Sequence, residues 1–284
     1  MFKVNIVSTY FEVLQQASIF LQENNQEKFA AEWLMRERLN WSKTELVRNY
    51  RENMKEIQIR QFEKDINQLS QGLPMQQIIG HDWFYNRKFK INSHTLIPRP
   101  ETEEWLDRVL SILPKRPLRV LDIGTGSGVL AITDKLERPQ DQVVATDISI
   151  EALRIAEENS QCLNAEVEFQ QGDLFEPITG RKFDVILCNP PYISYEEINL
   201  MDKSVLEHEP QTALFAENQG LAIYERIAIS VNEYINDKSC IFLEIGYNQG
   251  SQVREIFQKA LPKAEIQIWK DFNNLDRVVV IYNS

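Results

Sequence analysis

A carboxamide, two prolines and a phenol stand side by side at Asn189, Pro190, Pro191 and Tyr192, directly after the apolar run "FDVILC". Two consecutive prolines cannot donate to a β-ladder, and they fix the backbone where a strand leaves its sheet. Such a stretch can supply rigid acceptors, the Asn189 side-chain oxygen and the Pro190 carbonyl, beside an aromatic ring: catalysis by orientation and electrostatics. A second group lies in "LDIGTGSGVLAI", where Gly124, Gly126 and Gly128, with Thr125 and Ser127 between them, let the backbone approach a ligand closely. Asp147 closes "VVATD" 23 residues beyond Gly124, where an acid can take both hydroxyls of a ribose. Together they point to a nucleoside cofactor. The dinucleotide fingerprint G-x-G-x-x-G would need its third glycine at 129, but Val129 stands there and the glycine falls one residue early, which disfavours NAD. A third pair, Asp173 and Leu174 in "QQGDLF", is placed for an adenine amino group to meet the carboxylate while the ring packs on Leu174.

These residues need a sheet to bring them together. From Leu118 the chain alternates strand-like runs with helical stretches: "LRVLDI", "QVVATD", "VEFQQ", "FDVILC", "CIFLEI", "EIQIW" and "RVVVIY". The pattern predicts an α/β fold with a predominantly parallel, doubly wound seven-stranded sheet, and the chemical residues fall at strand ends. "EIQIW" and "RVVVIY" are separated only by "KDFNNLD", too short for a helical crossover, so the last strand is expected to run antiparallel. Residues 27–39, 42–52 and 55–72 carry apolar residues at helical spacing, with Ser42 as a cap, and predict a small helical bundle. "GLP" ends it, and "GHDWFYNRKFKI" alternates around a polar turn like a β-hairpin. The expected domains are residues 1–75, helical; 76–96, a hairpin linker; and 97–284, the α/β domain. In "LIPRPETEEWLDRVLSIL", Pro98 and Pro100 restrict the backbone, and Glu101, Glu103 and Glu104 favour the first turn of a helix.

Composition narrows the classes of function. With 284 residues and 43% hydrophobic content the chain can bury a large core and a smaller one. Cys162, Cys188 and Cys240 are far apart and form no CxxC, as suits a reducing compartment. No signal peptide or membrane-length apolar run occurs, so the cytoplasm is expected. Residues 1–80 hold ten basic and ten acidic residues, so of the chain's 31 and 42 the remainder holds 21 and 32 and carries the whole net charge of −11. Such a surface repels phosphate backbones, and no basic patch stands out to offset it. His81, His94 and His208 have no metal-ligand spacing, and no G-x-S-x-G or Walker loop occurs. Trp33 and Trp83 are expected in the core. No apolar stripe is left over for an interface, which favours a monomer.

Asp122 before the glycine loop, the loop itself and Asp147 resemble the S-adenosylmethionine site of class I methyltransferases. "NPPY" resembles the motif by which amino-methyltransferases hold a planar nitrogen. The wider chain resembles the HemK/PrmC family: "LIPRPETE" (96–103), "DIGTGSG" (122–128), "GDLF" (172–175), "NPPYI" (189–193), "EP" (209–210), "AL" (213–214), "QGL" (219–221), "EIG" (244–246) and "DRVVV" (276–280) stand in that family's order. "AAEWLMRERLNWSKTEL" is similar to its N-terminal domain. The resemblance implies methylation of N5 of the glutamine in the Gly-Gly-Gln loop of class 1 peptide-chain release factors, with S-adenosylhomocysteine as product. It implies that Gly124, Thr125, Gly126, Ser127, Gly128, Asp147, Leu174 and Asn189 contact the cofactor. Asn189 to Tyr192 would hold the glutamine amide, Tyr192 stacking on its plane, while the helical domain grips the release factor. Adenine-N6 and guanine-N2 methyltransferases carry similar tetrapeptides, but those acting on a duplex must extract the base; the acidic larger domain and "RPETE" argue against them. A cofactor-binding adaptor without transfer is opposed by the intact tetrapeptide. Three departures from the family pattern are visible. In "ITDKL", Asp134 and Lys135 are expected to face solvent; Ala216 to Asn218 suggest a local loop difference; and Leu174 replaces the aromatic residue of some relatives.

Overall fold

The computed structural model describes residues 1–283 and divides them into two compact units, residues 1–81 with 202–208, and residues 82–201 with 209 onward. The first unit holds α1 (Tyr10–Glu23), α2 (Ala30–Leu39), α3 (Lys43–Asn49), α4 (Glu56–Ser70) and α5 (Met75–Ile79). Helix α1, like the short α5, is additional to the three expected helices. A reciprocal cap starts it: the Thr9 hydroxyl accepts from the Glu12 amide, and the Glu12 carboxylate accepts from the Thr9 amide at 2.8 Å. Ser42 and Glu45 form the same cap on α3. Val13, Leu21, Leu34, Met35, Leu46, Ile59, Phe62 and Ile66 meet in the core of this unit. Helix α5 packs on α2 and α4 and so belongs to this unit.

From residue 82 on, in the second unit, the chain forms the expected hairpin of β1 (His81–Phe84, its first residue still in the first unit) and β2 (Arg87–Lys90), turning at Tyr85 (φ 51°) and Asn86 (φ 57°). Two successive left-handed residues match the twist of the strands. Trp83 is not core: it is 49% exposed, with the Lys88 ammonium 5.3 Å from its ring centre. After α6 (Pro100–Ile112) come β3 (Arg119–Ile123), α7 (Val129–Glu137), β4 (Gln142–Asp147), α8 (Ile150–Leu163), β5 (Glu168–Gln171) and β6 (Phe183–Cys188). Then follow β7 (Ile193–Ser194), α9 (Lys203–His208, part of the first unit), α10 (Gln211–Leu214), β8 (Phe215–Ala216), the irregular turn α11 (Glu217–Gly220) and α12 (Ala222–Ser230). The chain continues through β9 (Ile235–Glu244), α13 (Gly250–Ala260), β10 (Glu265–Lys270) and β11 (Asp276–Tyr282).

The main sheet has seven strands in the order β10-β11-β9-β6-β3-β4-β5. Strands β5, β4, β3, β6 and β9 are parallel, and β11 runs antiparallel between β9 and β10, as expected from the short connection before it. Alternation along each strand feeds two cores. Leu121, Val144, Ile186, Leu243 and Val279 face one, with Tyr224 and Phe257; Val120, Val143, Leu187, Phe242 and Val280 face the other, with Leu106 and Ala131.

Asp134 does not face solvent. It is 1% exposed, because α7 is covered by β3, β4, α6 and α8, and its Oδ2 has no hydrogen-bond partner. Burial, reinforced by Asp141 and opposed by Arg138, pushes its carboxyl up to about 7. The folded chain therefore keeps this proton above pH 4 while the unfolded chain loses it, and stability falls as pH rises to about 7. Asp134→Asn is expected to flatten that decline and to be more stable than the parent at pH 8, by on the order of 2–4 kcal/mol, in urea titrations across pH 4 to 8. Equal pH slopes for the two proteins would contradict it.

Candidate active site

The register of the parallel strands brings four chemical segments to one edge. Ile123 pairs with Thr146 on one side and Cys188 on the other, and Asp147 pairs with Gln171, so the segments beginning at 124, 147, 172 and 189 leave together. They enclose a cavity of about 340 Å³. Gly124, Thr125, Gly126, Ser127, Asp147, Asp173, Leu174, Asn189, Pro190 and Pro191 all line it.

The glycine loop is folded by a buried acid. Asp122 Oδ2 accepts from the Thr125 hydroxyl at 2.6 Å and from the Ala131 amide at 3.2 Å, so one oxygen holds the loop to the helix after it. Its burial pushes the Asp122 carboxyl up to about 7. The Gly124 and Thr125 amides donate to the Thr146 carbonyl, which fixes the loop against β4. Gly124 and Gly126 have φ of 71° and 57°, and a Cβ on either would meet nothing within 4 Å: they offer bare backbone on the open side. Gly128 differs. It does not line the cavity; a Cβ there would come within 2.7 Å of Ile132 and 3.2 Å of Ala156, so its role is the close packing of α7 on α8. Asn159, which no motif marked, ties the loop to the hairpin: its Nδ2 donates to the carbonyls of Ser127 and Lys90, and its Oδ1 accepts from the Lys90 amide.

Asp147 Oδ2 accepts from the Gly126 amide and Oδ1 from the Ser149 amide, both at 2.9 Å. These bonds aim the carboxylate along the cavity wall and leave lone pairs for two further donors, as a ribose diol requires. Burial outweighs those bonds and raises its pKa. Leu174 has φ 50°, a left-handed conformation unfavourable for a branched residue, and presents its side chain to the cavity. Asp173 is already paired, to Arg226 Nη2 at 2.6 Å. Ile148, Leu174 and Ile223 give the cavity an apolar wall, Asp147 a diol acceptor and the glycines an open backbone. This donor set fits an adenosine-bearing cofactor.

At the fourth strand end, the Asn189 Nδ2 donates to the Thr102 hydroxyl at 3.3 Å. Thr102 Oγ1 donates to Glu244 Oε2 at 2.6 Å, and Trp105 Nε1 donates to the same oxygen at 2.7 Å. Glu244 is buried, which raises its pKa against those two bonds. Tyr192 does not line the cavity. Its hydroxyl lies 3.5 Å from Glu244 Oε1, its carbonyl accepts from Gln249 Nε2 at 2.8 Å, and the ring packs on the core. The aromatic surface beside Pro191 comes instead from Tyr195 and Phe215, stacked with centroids 5.1 Å apart. Gly220 (φ 82°) packs so tightly on the Tyr192 carbonyl that no side chain fits there. Arg99 Nη2 donates to Glu209 Oε1 at 2.6 Å, and the Ile97 amide donates to Glu209 Oε2 at 3.2 Å, which ties the "LIPRP" segment to the "EP" segment. Cys188, also on the wall, is held as a neutral thiol by burial, which pushes its pKa well up. Among the described residues no group of three or more His, Cys, Asp or Glu could hold a metal ion.

Residues 107–214 match the Methyltransferase small domain family, and residues 12–80 match the PrmC N-terminal domain. The release factor glutamine methyltransferase of Enterococcus faecalis is 42% identical over 95% of this chain and 98% of that protein. The protein of the same description from Bacillus subtilis is 39% identical over 96% and 97%. Among solved structures, a methyltransferase from Pyrococcus furiosus superposes with a TM-score of 0.55 at 16% identity, covering 70% of this chain and 90% of that one, a likeness of fold. Asp147→Ala is expected to weaken S-adenosylmethionine binding by about tenfold or more in calorimetric titration. An unchanged dissociation constant would mean that the ribose acceptor is another group.

Proposed function

The chain belongs to the release factor glutamine methyltransferase family, and from that premise we propose how its residues perform the reaction. The enzyme transfers a methyl group from S-adenosylmethionine to the side-chain nitrogen N5 of a glutamine in a peptide-chain release factor. The glutamine is that of a Gly-Gly-Gln loop, in release factors of class 1. The observation that carries this reading is the convergence of Asn189, Pro190 and Pro191 with the glycine loop and Asp147 on one cavity.

A carboxamide nitrogen is a poor nucleophile because its lone pair is delocalised into the carbonyl. When bound, S-adenosylmethionine supplies a methyl group made electrophilic by its sulfonium. The chain's task is to place the amide and let its nitrogen pyramidalise. Asn189 Oδ1 accepts one N–H and the Pro190 carbonyl the other, so the lone pair is turned toward the donor side of the cavity. The two prolines keep both acceptors in place before substrate arrives, so no reorganisation is needed during transfer. No strong base is needed, because the N–H proton becomes acidic as the nitrogen gains its methyl. The buried carboxyl of Glu244 is spent on Thr102 and Trp105 and takes no part in proton removal. Tyr195 and Phe215 flank the path of the incoming side chain.

The first unit, matching the PrmC N-terminal domain over residues 12–80, would grip the body of the release factor. The acidic balance after residue 80, 21 basic against 32 acidic residues, favours a protein substrate over nucleic acid. The protein would act in the cytoplasm as a monomer; among the described residues no helix is long and apolar enough to cross a membrane.

Incubation with labelled cofactor tests the substrate: label is expected on intact release factor and none on RNA or DNA, and label on nucleic acid would replace this reading with base methylation. Asn189→Ala is expected to lower kcat at least a hundredfold, with cofactor affinity within about tenfold of the parent. Normal turnover in that variant would remove Asn189 from the mechanism.

A further inference from the structure

A carboxamide is nearly the same shape whichever way it is turned, so an acceptor role for Asn189 requires something to decide that oxygen, and not nitrogen, faces the substrate. The answer lies in the cavity wall, which Thr102 lines, and in Glu244 and Trp105 behind it. Trp105 Nε1–H can only donate, so Glu244 Oε2, 2.7 Å from it, accepts there, and any proton that Glu244 carries is left to Oε1, which has no donor closer than the Tyr192 hydroxyl at 3.5 Å. Thr102 Oγ1 lies 2.6 Å from the same oxygen and has one proton, which is spent there. Only lone pairs remain on the Thr102 oxygen for its other neighbour, Asn189, 3.3 Å away. The Asn189 nitrogen must therefore point at Thr102, and Oδ1 is left on the far side. A flipped amide would set Oδ1 against Oγ1, two acceptors with no hydrogen between them. The same result holds whether Glu244 is ionised or carries a proton on Oε1, because Oε2 accepts in both cases.

We propose that Glu244 and Thr102 are positioning residues, a polarity relay that starts at the Trp105 indole and fixes the Asn189 carboxamide with its oxygen toward the glutamine amide. The proposal rests on the reading that Asn189 holds that amide. It gives "RPETE" and "EIG" a shared task through Thr102 and Glu244, and accounts for a carboxyl buried in an apolar layer without contact with substrate. Glu244 also faces the Tyr192 hydroxyl through Oε1 and accepts the Tyr224 hydroxyl on its carbonyl at 2.6 Å, so the relay is anchored in the core.

The test compares variants that differ by one hydroxyl. Thr102→Val and Thr102→Ala are expected to lower kcat for release-factor methylation by about tenfold to a hundredfold, with KM for the release factor and cofactor affinity within about threefold. Thr102→Ser, which differs from the alanine variant by the hydroxyl alone, is expected to return kcat to within about threefold of the parent. A general packing role would move affinities and melting temperature together and would not separate serine from alanine. Parental kcat in Thr102→Val or Thr102→Ala overturns the relay, as does a Thr102→Ser variant that binds cofactor normally yet is as slow as Thr102→Ala. If Thr102→Val fails to fold, the serine–alanine pair decides. Failure of the parent itself to methylate release factor would instead strike the functional reading.

Discussion

The site depends on the register of a parallel sheet. Strands β4, β3 and β6 lie side by side with Thr146, Ile123 and Cys188 at one level, so the loops that follow cannot avoid one another. A slip of one residue in any pairing would exchange the two faces of that strand, burying the wrong set in each core. The apolar alternation that places Val120 and Leu121 on opposite cores thus also sets where Asn189 stands relative to Gly124. Substrate binding and core packing are consequences of the same alignment.

Polar groups inside that apolar frame are few and heavily used. Asp122 folds the glycine loop, Glu244 holds Thr102 and Trp105, Asn159 links loop to hairpin, and Gln249 clasps the Tyr192 carbonyl while its Oε1 accepts from the Gly246 amide. Each sits in the interior, where an unmet donor or acceptor is costly; Asp122 meets that cost within its own strand–loop–helix turn, and Glu244, Asn159 and Gln249 meet it by joining segments distant in the chain. Cofactor and substrate thus meet backbone amides and carbonyls whose positions were settled by these internal bonds. The cost also shows: Asp122 keeps an unpartnered oxygen and a raised pKa as the condition for organising its loop.

Much of this arrangement was legible in the sequence because it rests on periodicity and on residue types with few alternative uses. Seven β-rich runs became seven strands, the short "KDFNNLD" connection forced the antiparallel partner, and the strand-end positions of Gly124, Asp147, Asp173 and Asn189 put them on one wall. Helix α1 carried a readable signal in Thr9 and Glu12, with Asn5 and Ser8 before them, but no glycine or proline sets its start off. What the sequence could not reveal are facts of direction. Tyr192 follows two prolines, yet whether its ring enters the cavity or the core depends on Glu244 and Gln249, more than fifty residues away. Gly128 looks like its neighbours, and only the nearness of Ala156 shows that it packs helices. Asp134 has the composition of a surface position and is buried because α7 is covered on several sides, which no local pattern records.

Strand β11 lies between β9 and β10 and is made after both. During synthesis β9 therefore emerges with one edge open, and β10 has nothing to pair with until a still later segment arrives between them. Closure of the sheet therefore waits on β11, and until it pairs, Phe242 on β9 and Ile266 on β10 lack part of the cover they have in the folded domain.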